Sequence, residues 1–304
     1  MSFKNSFKLL TTNFAIVWKQ LLYLLVISIF SFGIAYCIFL PALEILIDNG
    51  VISQFSEIFE TIYTAPKEII SACKSAIFNL TDVIKSNFSL IGANVIFSIF
   101  FAKVIFDILK YMSYYNVTSV MYMKLTSNLE VGYTRNFISN LIPSLRYALS
   151  RFVISIPFDV LIILIIIGCL NLFHSTLSVM LGLFIFIALF IVLSAIKITL
   201  FTPQATYMIE NQCEPFKAFV SGNKKTYKNF TRIFSNAIVC VITLIVANIF
   251  VGIFTVGAGL FILIPTSIVY ICILNITSYF GACGERYYLS ETMIVNSTNG
   301  DKNI

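Results

Sequence analysis

LSVMLGLFIFIALFIVLSAIKITLFTP, residues 177–203, carries a single ionisable side chain, Lys197. At about 1.5 Å rise per helical residue, a hydrocarbon core of about 30 Å is crossed by about 20 apolar residues, so this stretch reads as a transmembrane helix. The chain then changes character. TYMIENQCEPFKAFVSGNKKTYKNFTRIF, residues 206–234, holds Lys217, Lys224, Lys225, Lys228 and Arg232. An apolar span that delivers the chain into a basic loop is the unit from which the rest is read.

Five more stretches of the same kind occupy residues 21–46, 89–112, 152–172, 234–256 and 260–282. Alternate connections collect the positive charge. Lys4, Lys8 and Lys19 precede the first span, Lys110, Lys124, Arg135, Arg146 and Arg151 lie between the second and third, and Arg286 and Lys302 follow the sixth. The other side holds only Lys67, Lys74 and Lys85, while Lys103 and Lys197 fall within spans. Cationic loops stay cytoplasmic, which predicts that both termini are inside. Trp18, Tyr23, Tyr111, Tyr114, Tyr115, Tyr207, Tyr287 and Tyr288 fall near the inner boundaries, where an aromatic belt belongs.

Composition agrees. The chain is 59% hydrophobic and 11% charged, with a mean hydropathy of +0.93, whereas soluble domains carry about 25% charged residues. The net charge of +6 lies in the inner loops, where it meets anionic lipid, and no basic stripe with interleaved aromatics indicates a nucleic-acid partner. Of seven cysteines, Cys37, Cys169, Cys240 and Cys272 fall in spans, Cys213 and Cys283 face inward and Cys73 alone lies outside, so no disulfide framework is expected. Residues 1–20 are too polar for a signal h-region, and the first apolar run has no convincing cleavage site, so it is read as retained.

The outer turns near His174 and Gly257-Ala258-Gly259 are short, which makes spans three and four, and five and six, tight hairpins. The first outer loop, 47–88, is long and net negative. Phe55, Phe59 and Ile62, then Ile69, Cys73, Ala76, Leu80 and Ile84, recur at helical spacing, predicting two amphipathic helices broken at Pro66. A cap on the bundle or at the interface and a lid for an outer partner are both open to it.

The inner segments share a design. Ser6 to Phe14 precedes span one, Gly132 to Phe137 leads through Pro143 to span three, and Pro215 to Phe230 precedes span five; each includes an Asn-Phe pair. This reads as three repeats of an interfacial helix plus a hairpin. Thr202-Pro203, Ile209-Glu210-Asn211, Pro215-Phe216-Lys217-Ala218, and Ser221 through Asn229-Phe230, with the aromatic end Tyr279 to Tyr288, carry a resemblance. The chain is similar to uncharacterised six-span bacterial membrane proteins and to the membrane domain attached to some glycerophosphoryl diester phosphodiesterases. The resemblance spans most of the chain except 47–88 and implies the fold; no catalytic phosphodiesterase domain is present, so that activity is not implied.

Ionisable residues within spans are costly in lipid and mark candidate sites. Lys103 and Asp107 share one face of span two, Asp159 follows Pro157 in span three, and Lys197 lies near the inner end of span four. Counted from the inner boundary, all four lie about 6–14 Å deep and define a polar layer. Internal ion pairing, a proton or ion pathway, and the inner end of a substrate cavity are the roles open to it; two acids and two bases make it formally neutral, which favours pairing. Asn94, Asn171, Asn248 and Asn275 suit inter-helix hydrogen bonds more than ligand contacts. Pro41, Pro157, Pro203 and Pro265 mark kinks or helix ends.

Catalytic, metal and cofactor signals are missing from the sequence. His174, the one histidine, has no Cys or carboxylate cluster beside it. Gly222-Asn223-Lys224-Lys225-Thr226 lacks the earlier glycine and the order of a phosphate loop, and no strand precedes it. The expectation is therefore an all-α polytopic protein of the plasma membrane, one membrane domain over 1–304 with a tail from 283. It is non-enzymatic, a scaffold or accessory component whose partners are the bilayer and another membrane protein or a transporter ATPase. A small-solute transporter or permease subunit using the charged layer is the alternative, with a membrane-bound enzyme third.

Overall fold

The computed structural model describes residues 2–170, 176–290 and 293–296. Asn171 and His174 lie outside them. Helices α1 (Ser2–Thr12), α2 (Ala15–Asp48), α3 (Val51–Thr64), α4 (Ile69–Ser86), α5 (Phe88–Ser127), α6 (Tyr133–Ser139), α7 (Leu141–Leu170), α8 (Thr176–Asn211), α9 (Pro215–Thr226), α10 (Phe230–Phe254) and α11 (Leu260–Cys283) precede strands β1 (Arg286–Ser290) and β2 (Met293–Asn296). Six helical stretches, Ala15–Asp48, Phe88–Ser127, Leu141–Gly168, Met180–Asn211, Pro215–Phe254 and Leu260–Cys283, are long and apolar enough to cross a membrane. The protein is membrane-embedded and multi-pass.

Several helices outrun the apolar windows that announce them. The 40 residues of α5 are about 60 Å long, twice the hydrocarbon thickness. Past residue 112 the helix packs against protein, with residues 115–121 buried in succession. The C-terminal tail also departs from an all-helical reading. Gly284, at φ 75°, ends α11, and β1 pairs antiparallel with β2. Alternation explains it: Tyr287 and Leu289 turn inward while Arg286 and Ser290 face out, a period of two that helix-seeking patterns pass over.

The chain divides into two compact units, Val26–Asp107 and the remainder. In the first, α3 and α4 pair across the turn Pro66–Glu68, with Ala42, Val51, Val83 and Ile91 as the core. Gly50, at φ 69°, makes the corner from α2 to α3. Asn79 Nδ2 donates to Gln54 Oε1 at 3.0 Å, tying α4 to α3, and Ser98 Oγ donates to the Ala35 carbonyl, tying α5 to α2. Phe59, Tyr63 and Ile70 remain exposed.

In the second unit α11 is the central helix. Over half of its span (56%) is buried, against 11–17% for α7, α8 and α10, whose apolar sides face outward as lipid-facing helices do. Val117, Met121 and Leu125 of α5 and Leu9, Leu10 and Val17 from the N-terminal segment close on Val269, Ile273, Ile276 and Phe280.

The short amphipathic helices are docked, α6 and α9 each on the long helix that precedes it and α1 on the last span. Helix α6 meets α5 where Asn136 Nδ2 donates to Asn116 Oδ1 at 2.7 Å. Helix α9 meets α8 where Gln204 Nε2 donates to the Pro215 carbonyl at 3.3 Å and Asn223 Nδ2 to the Leu200 carbonyl at 2.9 Å. Helix α1 packs on α11, with Ser6 and Thr277 hydroxyls 2.8 Å apart and the Phe3 ring edge-on to Tyr270. The N-terminal arm is thus a docked element and closes the set onto the last span. Asparagines sit at the corners that follow. Asn13 and Asn140 side chains each cap the carbonyl four residues back, Leu9 and Asn136, at 2.8 and 3.0 Å, and Asn229 Nδ2 donates to the Ala282 carbonyl at 2.9 Å. Pairing Asn136-Phe137 with Asn13-Phe14 therefore misplaces the second corner: Asn140 occupies it, and Asn136 is buried in the α5–α6 contact.

Gly222 is required by the α8–α9 contact. A Cβ there would lie 3.0 Å from Pro203 Cβ and 3.3 Å from Tyr207 Cβ, whereas a Cβ on Gly33 meets nothing within 4 Å. Gly222→Val should lower stability by about 1–3 kcal/mol, the range for an overpacked contact, while Gly33→Ala should not destabilise. Reversible unfolding of the purified variants in one detergent would show the difference.

Candidate functional site

The four charged residues expected in a polar layer form two ion pairs, each inside one unit. On α5, Lys103 Nζ lies 2.5 Å from Asp107 Oδ2; the i,i+4 spacing places both on one helix face, and Asp107 is buried. In the larger unit Lys197 Nζ of α8 lies 2.9 Å from Asp159 Oδ1 of α7, and Ser155 Oγ donates to Asp159 Oδ2 at 3.3 Å. Removing one partner of either pair leaves an uncompensated charge at membrane depth, where ions are costly. The span amides also bond to protein: Asn248 Nδ2 donates to the Leu244 carbonyl at 2.7 Å, and Asn275 Oδ1 accepts from Thr202 Oγ1 at 3.0 Å, joining α8 to α11.

Asp159 ends a longer series on α7. Tyr147, Arg151, Ser155 and Asp159 recur every fourth residue and so line one face of the helix, extending about 18 Å along it. The series is continuous in contacts. An Arg151 N–H donates to the Tyr147 hydroxyl, the Tyr111 hydroxyl lies 3.5 Å from Ser155 Oγ, and Ser155 reaches the Asp159–Lys197 pair.

Arg151 is the residue the sequence reading missed. It stands one position before the apolar window that begins at 152, where a cation reads as a loop residue. The structure leaves it 7% exposed, boxed by rings. Its guanidinium carbon lies 4.8 Å from the ring centroids of Tyr114 and Phe201, 5.0 Å from Tyr111 and 5.7 Å from Tyr147. Among the described residues no carboxylate stands in ion-pair range of it, and its Nε has no hydrogen-bond partner. Burying an ion costs several kcal/mol, and a ring face returns about 0.5–2 kcal/mol, so the box offsets much of the burial but leaves the charge itself unbalanced. The four-residue period from Tyr147 to Asp159, facing Tyr111 and Tyr114, was the signal that could have found it.

Beside this column lies a cavity of about 390 Å³, lined by Tyr115, Ser119, Asn140, Arg146, Gln212 and Glu214 among others. The Tyr115 ring packs 5.4 Å from that of Tyr147, so the cavity stops two rings short of Arg151. A second buried network adjoins α6. Gln20 Nε2 donates to Ser113 Oγ at 2.8 Å, and the Tyr133 hydroxyl donates to Gln20 Oε1 at 3.0 Å. Burial pushes the Tyr133 phenol up to about 12, which keeps it a donor across the physiological range.

Three matching tetrapeptides supply these contacts: Asn116-Val117-Thr118-Ser119 on α5, Gln204-Ala205-Thr206-Tyr207 on α8 and Asn275-Ile276-Thr277-Ser278 on α11. Each runs amide, aliphatic residue, threonine, and each lies where an amphipathic helix docks. Residues 222–226 are helical, and Lys225 is held between Glu285 at 2.9 Å and Glu210 at 3.3 Å, with the Tyr279 hydroxyl donating to Glu210 at 2.5 Å.

A double-mutant cycle on Asp159→Asn and Lys197→Met should give a coupling energy above about 1 kcal/mol, with each single variant less stable than the pair removed together. Additive losses in a detergent unfolding series would show instead that the two charges are independently solvated. Comparison with protein-family models, with curated proteins and with solved structures finds no match to this chain, so function is argued from its own geometry.

Proposed function

We propose that this protein is a non-enzymatic scaffold or accessory component of a bacterial plasma membrane, with both termini cytoplasmic. The observation that carries the reading is the set of docked amphipathic helices. Packing fixes α1, α6 and α9 against span ends, while Lys4, Lys8, Arg135, Lys217 and Lys224 stay exposed on them. Fixed helices with outward cations suit a platform for anionic headgroups and for an acidic face of another membrane protein or a transporter ATPase. The ion pairs support the same reading, because charges neutralised within the fold act as struts.

A transporter or permease subunit is the second reading, and the α7 column from Tyr147 to Asp159 favours it. Contiguous polar side chains along one membrane helix are what a solute or proton path requires.

The two readings separate experimentally. Crosslinking in native membranes should recover one specific protein partner, and changing Lys4, Lys8, Lys217 and Lys224 to Gln should weaken that recovery, with about 1 kcal/mol of anionic-membrane attraction lost per residue. A partner-free protein whose solute flux disappears in Asp159→Asn, at unchanged membrane abundance, would replace the scaffold by the transporter. Orientation is read by impermeant thiol labelling of intact cells: Cys73 should react and Cys213 should not, and the reverse would invert the topology.

A further inference from the structure

Arg151 belongs to the α7 column, yet neither a scaffold nor a polar path accounts for a buried cation without an acidic partner among the described residues. It is a permanent cation, more than nine-tenths buried, whose nearest groups are rings and one phenol oxygen. Tyrosine faces stabilise a cation without neutralising it, and the Nε–H points at no acceptor. Lys110 Nζ stands 5.2 Å from the Tyr111 ring centroid, and Arg146 lines the neighbouring cavity together with Glu214. Across the helix pair, Gln204 is fully buried, donates to Ser150 Oγ beside Arg151, and leaves its Oε1 without a partner. Unspent donor capacity on a buried guanidinium is what an oxyanion satisfies.

Position narrows the chemistry. Arg151 lies at the boundary where the apolar part of α7 begins, within a belt of Tyr111, Tyr114, Tyr115 and Tyr147. Aromatic belts mark headgroup depth, and the oxyanion abundant at that depth is phosphate. The cavity of about 390 Å³ provides the approach: Arg146 and Asn140 line it, and Tyr115 and Tyr147 are the two rings between it and the guanidinium.

We propose that Arg151 anchors a binding site for a phosphate group, presented by a lipid headgroup or by a soluble phosphate ester. The phosphate enters along the Arg146 wall, and displacement of the Tyr147 ring lets two guanidinium N–H groups meet two phosphate oxygens. The site is independent of whether the protein is a scaffold or a transporter.

The test uses the full chain, with radiolabelled inorganic phosphate in detergent, and with phosphatidylcholine nanodiscs with or without phosphatidic acid. Saturable phosphate binding in detergent, or saturable stabilisation by phosphatidic acid alone, supports the proposal and identifies a soluble or a lipid source respectively. Arg151→Lys, which keeps the charge but loses the planar fork, should weaken the response at least ~10-fold. Arg146→Gln should weaken it less, and Tyr147→Phe, which removes the competing phenol, should leave it unchanged or stronger. If Arg151→Lys does not fold, Tyr115→Trp decides: filling the inner end of the cavity should cut the response ~10-fold, and an unchanged response overturns the proposal. Wild type that responds to neither probe, or Arg151→Lys that responds like wild type, also overturns it.

Discussion

A hydroxyl or amide buried at membrane depth has no water to bond with, so it must find a partner in the protein or hold two elements together by finding one. This constraint organises the larger unit. The amides of Asn116 and Gln204 and the hydroxyl of Thr277 lie near the C-terminal ends of α5, α8 and α11, and each bonds to a short helix. Once those contacts form, the amphipathic helices are held as parts of the fold. The asparagine corners at Asn13, Asn140 and Asn229 then turn the chain from each short helix into the next long one.

Charge obeys the same constraint, and among the described residues Arg151 departs from it. Lys103 is neutralised by Asp107 and Lys197 by Asp159, so the membrane-depth lysines with named partners add no net charge at their sites. Arg151 is shielded by aromatic faces and one phenol in place of an acid. Shielding lowers the cost of burial without cancelling the charge. The α7 column therefore has unlike ends, a closed ion pair at Asp159 and an uncompensated cation at Arg151. A bundle needing only mechanical stability could fill both positions with apolar side chains, which pack as well and cost less to bury.

How much could be read in advance followed the range of each interaction. The Lys103–Asp107 pair was legible because both residues lie four apart on one helix. Asp159 and Lys197 were each conspicuous as charges in apolar runs, but their pairing joins residues 38 apart and depends on how α7 packs on α8. Arg151 was hidden by its position: next to an apolar window, a cation looks like a loop residue, and only the rings of Tyr111, Tyr114 and Phe201 from two other helices show it to be interior. The β1–β2 hairpin was missed because a period of two over so few residues is weak beside a chain full of helical signal.

By itself the sequence determined that this protein lives in a membrane, with six apolar helices and short amphipathic helices between them. Those properties depend on hydrophobicity summed over local windows, which needs no knowledge of neighbours. Tertiary structure alone decided that α1 closes onto α11, that Gly222 admits α9 to α8, and that Arg151 is enclosed by four rings. Each of these joins residues far apart in the chain through close packing, and close packing is a property of the assembled surfaces that no local pattern encodes.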